Sequence, residues 1–431
     1  MFSAEDHRPQ DDVFSSARGA AWQELRHAEL CEGPGEPAVL HHLDGRCLYR
    51  PRQILVQATE RPALTHVANE LTRRGGARDE ETDSTFDEID LPVRSFMMPA
   101  DVHIPSLVSE LRQHPALSVA PNHVFTGEPD YHGGPAGEPR SAKPFSEAVG
   151  SAGDQPPVIA VLDTGYDPAV QALHPGLYGR LDYDPADVEN AVLPDGYLAR
   201  EGGHGTFIDG IIMRMAPQVR IRQVKVLSPA GVGDDLTVAL ELARAARAGV
   251  KVISLSLGGY TFDDEPPLAT ALTLAQLSSD VAVVAAAGNN HEERPFWPAA
   301  FKRVVSVGAL DTRDGTARLA GFSNHGAWVD VYVPGVRILS TYLEATWKLP
   351  SDPEPRALDG YAYWSGTSFA APQVAAMTAN ALPAAGSARQ AVLDVLAQAT
   401  WIPGLGPALI PEPGVAGLSA VARLSAVAEA D

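Results

Sequence analysis

The 431-residue sequence predicts an α/β protein, with a mostly parallel sheet between layers of helices and a smaller α+β unit ahead of it. Three observations lead there. Beyond residue 156, five segments are continuous apolar runs, the pattern of strands buried on both faces. Helical patterns alternate with them, as in strand–helix–strand units of a parallel sheet. Before them, a shorter alternation of strands and helices ends in a stretch rich in Gly, Pro, Ser and charge, which reads as a linker.

In chain order, residues 1–51 form a weakly patterned N-terminal extension in which "AAWQELRHAEL" is expected as a short helix. "QILVQAT" (Gln53–Thr59) reads as a strand. "PALTHVANELTRRGG" (Pro62–Gly76) reads as a helix, with proline near its start and glycine past its end. "ARDEETDSTFDEID" is expected to be an acidic linker. "VRSFMMP" is a strand, "DVHIPSLVSELRQHP" a helix and "LSVAPNHVF" a strand, closing a unit assigned to 52–127. Residues 128–156 are the linker and 157–431 the main domain. Its strands are "PVIAVLDTG" (Pro157–Gly165), "VRIRQVKVL" (Val219–Leu227), "VKVISLSLGG" (Val250–Gly259), "DVAVVAAAGN" (Asp280–Asn289) and "RVVSVGAL" (Arg303–Leu310). "LTVALELARAARAG" (Leu236–Gly249) is a helix between two of them. In such sheets, sites gather at the carboxyl ends of the strands.

Composition narrows the function. The net charge of −21 argues against nonspecific binding to nucleic acid or an anionic membrane, because both attract basic patches. A basic peptide remains open as a ligand. The cysteines, Cys31 and Cys47, make neither a disulfide framework nor a zinc spacing. The first residues lack the basic and apolar regions of a secretory signal, and the apolar run Val281–Ala287 is too short to span a bilayer. A cytoplasmic location is therefore expected, with secretion by an unrecognised route as the alternative.

Three stretches carry chemistry. "AVLDTGYD" puts Asp163 at the carboxyl end of the first apolar strand. "EGGHGTFIDGII" puts His204 among glycines before a helical run. "SGTSFAAP" puts Ser368 at a helix start. A nucleophilic serine needs an imidazole as general base and a carboxylate to orient it. At a helix N-terminus the serine's own N–H and the positive end of the dipole face a developing oxyanion. Small neighbours (Gly366, Thr367, Ala370, Ala371) admit a substrate backbone, and Pro372 fits the first turn, where its missing N–H is not needed. Asn289, after a glycine at a strand end, is a candidate second oxyanion donor.

Together "VLDTG", "GGHGTFIDGII", "SLSLGG", "AAAGNN" and "SGTSFAAPQVAA" resemble the signature blocks of the subtilisin-like serine proteases, over roughly Pro157 to Thr400. The order Asp, His, Ser is that family's order. The resemblance implies a subtilisin-like three-layer fold and a serine endopeptidase. Asp163 would orient, His204 act as general base and then acid, Ser368 attack, and Asn289 complete the oxyanion hole. Ser256, Leu257, Gly258 and Gly259 would pair with an extended substrate and form one wall of the main specificity pocket, with Ala286, Ala287 and Gly288 as the other. The chain departs from the usual family text at Phe207, Asp209, Phe369 and Gln373. Asp209, one turn beyond His204, is expected to tune that histidine or cap its neighbours. No cofactor is required for the chemistry. A structural calcium is compatible with the family, but no residues here can be matched to its ligands.

The end of the N-terminal unit, "HIPSLVSELRQHPALSVAPNHV", resembles a subtilase propeptide. That implies a ferredoxin-like α+β prodomain, with a four-stranded sheet on two helices, acting as an intramolecular inhibitor of the same chain. The substrate implied is a peptide or protein segment in extended form. The alternative is a latent or regulatory binding module held shut by its N-terminal domain. Glu292 and Glu293 read as a solvated loop or, alternatively, as pocket acids favouring a basic residue on the acyl side of the cut.

Overall fold

The structure is a computed structural model and describes residues 40–41, 47–127, 138–145, 156–349 and 352–411. Cys31, the helix expected near residues 20–30 and most of the anticipated linker lie outside the described residues.

The main sheet runs in the order Thr400–Ile402, Gly406–Ala408, Val331–Pro334, Val304–Asp311, Ala282–Ala286, Val252–Leu255, Val158–Asp163, Arg220–Lys225, Leu181–Asp182. Neighbours are parallel except for the first pair, and Arg318–Leu319 pairs antiparallel with Val304–Asp311. Side chains of Val158–Asp163 part to both faces. Ile159 and Val161 pack with Phe207, Ile211 and Val374; Ala160 and Leu162 pack with Val238, Leu242 and Leu274. Helices His204–Met215 and Ala371–Ala385 therefore cover one face, and Asp235–Arg247 and Leu268–Gln276 the other. This is the three-layer architecture that the continuous apolar strands predict.

A second sheet is built by the N-terminal unit. Its order is Val232–Asp234, Leu117–Gly127, Leu48–Ala58, Arg94–Met97, Ala77–Arg78, with Leu40–His41 added to Leu48–Ala58 and Leu257–Gly258 to Leu117–Gly127. One face is covered by helices Arg61–Arg73 and Ile104–Leu111 through Ile54, Val67, Leu71 and Leu107. The other face, through Leu55 and Ala120, rests on Leu236, Ala239 and Leu268. The helices Asp235–Arg247 and Leu268–Gln276 are thus shared between two sheets.

Three differences from the sequence reading have physical causes. The first long strand begins at Leu48, inside the segment assigned to the extension, because Cys47 and Tyr49 are buried in the unit's core. The acidic stretch contains the helix Glu80–Glu88. Asp79 caps it by accepting from Thr82 N at 3.2 Å, its first-turn acids suit the helix dipole, and Phe86 supplies the buried face. Within the expected linker, Arg140–Ser141 pairs with the long hairpin Ile338–Leu349/Asp352–Trp364. Among the described residues no helix is long and apolar enough to cross a membrane.

Candidate active site

Asp163 ends its strand and His204 opens its helix, and the two meet fully buried, with His204 Nδ1 2.7 Å from Asp163 Oδ1. The same carboxylate oxygen accepts from Thr164 N at 2.8 Å. The approach depends on small residues. A Cβ on Gly205 would collide with the Gly165 carbonyl, and Gly203 takes a left-handed φ of 79° that carries the chain into the helix. The imidazole lies against Trp364 and Phe369, with ring centroids 5.7 and 5.4 Å away.

Ser368 sits in a 3₁₀ turn, Thr367–Phe369, just ahead of the helix Ala371–Ala385, with Pro372 in that helix's first turn. Ser256 holds it from two sides. Ser256 Oγ donates to the Ser368 carbonyl at 2.8 Å, and Ser368 Oγ donates to the Ser256 carbonyl at 3.4 Å. Asn289 follows Gly288, which has a φ of 95°. Its Oδ1 accepts from Thr367 N at 2.9 Å and Thr367 Oγ1 at 3.0 Å, so its amide orientation is fixed and Nδ2 faces away from that pair. Among the described residues Asp163 Oδ2, His204 Nε2 and Asn289 Nδ2 are buried without a hydrogen-bond partner. His204 Nε2 therefore does not bond Ser368, whose hydroxyl turns to the Ser256 carbonyl.

The expected substrate walls are buried except for Gly259, which is half-buried. Leu257 and Gly258 are paired antiparallel with Gly127 and Thr126, and Gly259 exchanges backbone hydrogen bonds with Trp297. Ala286, Ala287 and Gly288 close the neighbouring strand end, where Asn324 braces the turn. Its Nδ2 donates to the Ala287 carbonyl at 2.8 Å, and its Oδ1 accepts from Asn290 N and Glu292 N at 3.0 Å. Glu292 and Glu293 are exposed, and Glu293 pairs with His325 at 3.5 Å, so this loop is solvated.

Two buried acids flank the histidine loop. Asp209 accepts from Gln223 Nε2 at 2.7 Å, and Gln223 also reaches the Gly205 carbonyl at 3.3 Å. Burial pushes the Asp209 carboxyl well above its usual range, with the Asp163 charge adding to the push. Glu189 accepts from Gly203 N at 3.0 Å, and burial raises it in the same way, against the lowering effect of that N–H. Both are biased to the neutral form, in which they brace the loop without a further buried charge. Glu189 and Asn324 carry no local motif, so the sequence did not single them out.

A family model described as "Subtilase family" matches residues 154–400. The chain belongs to the subtilase family. This subtilase is 36% identical over 295 residues to a thermophilic serine proteinase of Bacillus sp. (strain AK1), covering 64% of this chain and 66% of that one. It is 37% identical over 227 residues to thermitase of Thermoactinomyces vulgaris, covering 50% of this chain and 71% of the relative. The crystal structure of fervidolysin from Fervidobacterium pennivorans aligns over 86% of this chain and 61% of that chain, with a TM-score of 0.55 and 21% identity. That likeness bears on the fold. The chain thus spans 66% of the first relative's length and 61% of the fervidolysin chain.

Proposed function

We propose that this subtilase is a serine endopeptidase that cuts an extended peptide segment through an acyl-enzyme, and that it is made as a self-inhibited precursor. The observation that carries the reading is the buried Asp163–His204 pair at 2.7 Å, in a domain whose Leu257–Gly258 edge receives a peptide strand. In the proposed cycle Ser368 Oγ leaves the Ser256 carbonyl and gives its proton to His204 Nε2 as the oxygen bonds to the scissile carbonyl carbon. Asn289 Nδ2 and the Ser368 N–H stabilise the oxyanion. His204 returns the proton to the departing amine as the C–N bond breaks. Water, deprotonated by the same nitrogen, then releases the acid.

Self-inhibition is supported by the strand Leu117–Gly127. It lies between Val232–Asp234 and Leu257–Gly258, antiparallel to both, as an added substrate strand would. The N-terminal unit is held there by Arg50 on Asp234 at 2.9 Å and by Phe262 N on His123 Nε2 at 3.0 Å. The intact mass of purified wild type beside Ser368→Ala tests both parts. Wild type is expected to lose the N-terminal unit, and Ser368→Ala to stay full length.

The complete burial of Ser368 favours a second reading, a latent binding module held shut by its own N-terminal domain. Full length in both proteins, with no labelling of Ser368 by a fluorophosphonate, would select it.

A further inference from the structure

Asp209, where the chain departs from the usual family text, lies on the helix that His204 opens and is fully buried. It meets Gln223 on the strand Arg220–Lys225, next in the sheet to the strand that ends at Asp163. Gln223 Nε2 donates to Asp209 Oδ1 at 2.7 Å and to the Gly205 carbonyl at 3.3 Å. Both of those oxygens accept, so the network assigns the nitrogen and oxygen of the amide and uses both of its hydrogens. Gln223 Oε1 and Asp209 Oδ2 are then left buried with no partner. Two bare acceptors on one bonded pair point to one missing donor. A proton on Asp209 Oδ2 supplies it, and burial beside the Asp163 charge favours that neutral form.

The pair holds the backbone next to the general base. Gly205 follows His204. Its N–H donates to Thr164 Oγ1 at 3.1 Å, and its carbonyl takes the Gln223 amide. Thr164 in turn follows Asp163 and donates its N–H at 2.8 Å to Asp163 Oδ1, the oxygen that meets His204 Nδ1. Gly205 has no side chain to be held by, and a Cβ there would collide with the Gly165 carbonyl. Its backbone groups are therefore the means of fixing it, and the Asp209 partner takes one of them.

We propose that Asp209 is a positioning residue for His204, acting through Gln223 on the Gly205 carbonyl. The inference rests on the endopeptidase reading above. Asp209 carries a proton and closes a two-point pair with Gln223, Nε2–H to Oδ1 and Oδ2–H to Oε1. The pair sets the amide plane and so aims the second hydrogen of Nε2 at the Gly205 carbonyl. The neutral acid adds no second charge beside Asp163, whose carboxylate balances the imidazolium formed in turnover. Asparagine reproduces the pattern, since its Oδ1 accepts and its Nδ2 donates where the acid does; alanine does neither.

Asp209→Ala and Asp209→Asn, each made in the whole chain, separate positioning from packing. Alanine is expected to lower kcat on an extended peptide roughly tenfold with KM unchanged, and asparagine to stay within about twofold of wild type. Gln223→Met removes the same contact from the other side, and Asp209→Ala is expected to cost nothing further in that background. If alanine fails to fold, Gln223→Met beside wild type carries the same comparison. Alanine as active as wild type, asparagine as slow as alanine, or a full further loss in the Gln223→Met background overturns the proposal. In a second arm, downfield proton NMR follows the Nδ1–H proton between His204 and Asp163 in Ser368→Ala protein, without turnover. Its resonance is expected to move or broaden in Asp209→Ala and to hold in Asp209→Asn, and an unchanged resonance in both overturns the proposal. An alanine protein that cleaves normally overturns the positioning role and leaves the endopeptidase reading standing. A resonance changed by alanine alone, in a protein that cleaves nothing, does the reverse.

Discussion

His204 Nδ1 and Asp163 Oδ1 lie 2.7 Å apart with both side chains closed to solvent. A carboxylate only accepts, so Nδ1 must carry the proton and Nε2 is left with the lone pair that a general base needs. Asp163→Asn keeps the shape but allows the opposite tautomer. Turnover is expected to fall by about 10⁴ with little change in melting temperature. Steady-state hydrolysis by enzyme freed of its N-terminal unit measures this, and a loss below tenfold would remove the orienting role.

Asn289 is positioned through Thr367, whose N–H and hydroxyl both reach its Oδ1. If Asn289 is the oxyanion donor proposed above, Asn289→Ala is expected to lower kcat by about 10²–10³ with KM nearly unchanged. Thr367→Val removes one of the two bonds that hold the amide, and the hydroxyl that accepts from Gly288 N at 3.0 Å. It is expected to cost roughly tenfold in kcat. A rise in KM with kcat unchanged in either variant would remove the oxyanion role.

His123 reports on the seating of the N-terminal unit. It is buried, accepts from Phe262 N, and burial, helped by the Arg112 charge, lowers its pKa from 6.5 to about 3. Between these values the open or unfolded chain binds a proton that the closed form does not. Stability therefore rises with pH through this window and is lost as pH falls from 6.5. Asp235, raised from 3.8 to about 6 by burial, contributes the opposite slope over its own window. The difference between wild type and His123→Gln, both in Ser368→Ala protein, isolates the histidine. Melting temperature is expected to fall more steeply with acid in the His123 protein, and parallel curves would remove it as the cause.

The strands of the main sheet were legible because burial on both faces leaves one continuous signal, as in Val158–Asp163 and Ala282–Ala286. The places of Asp163 and His204 followed, since a strand end and a helix start can be read locally. Pairing across the chain could not be read in this way. Nothing near Thr126 announces that it will lie opposite both Val232 and Gly258. The helix Glu80–Glu88 was hidden because its acids look like a linker until Phe86 finds its pocket.

Phe125 gives a last test of how the cleft is closed. Backbone pairing alone would let the strand exchange readily with solvent or substrate. Phe125, however, is fully buried in the same apolar cluster as Ala160, Leu162 and Leu255 of the main sheet. Its ring therefore ties the N-terminal unit to the main domain as a core residue would. Phe125→Ala in Ser368→Ala protein is expected to weaken that attachment by about 3–5 kcal/mol, the range for emptying such a site. The loss should show as earlier melting and faster cutting by an added protease within the N-terminal unit, with helices Asp235–Arg247 and Leu268–Gln276 still protected. If the main domain became equally sensitive, Phe125 would be supporting the whole fold. If sensitivity did not change, the strand would be held by its backbone alone.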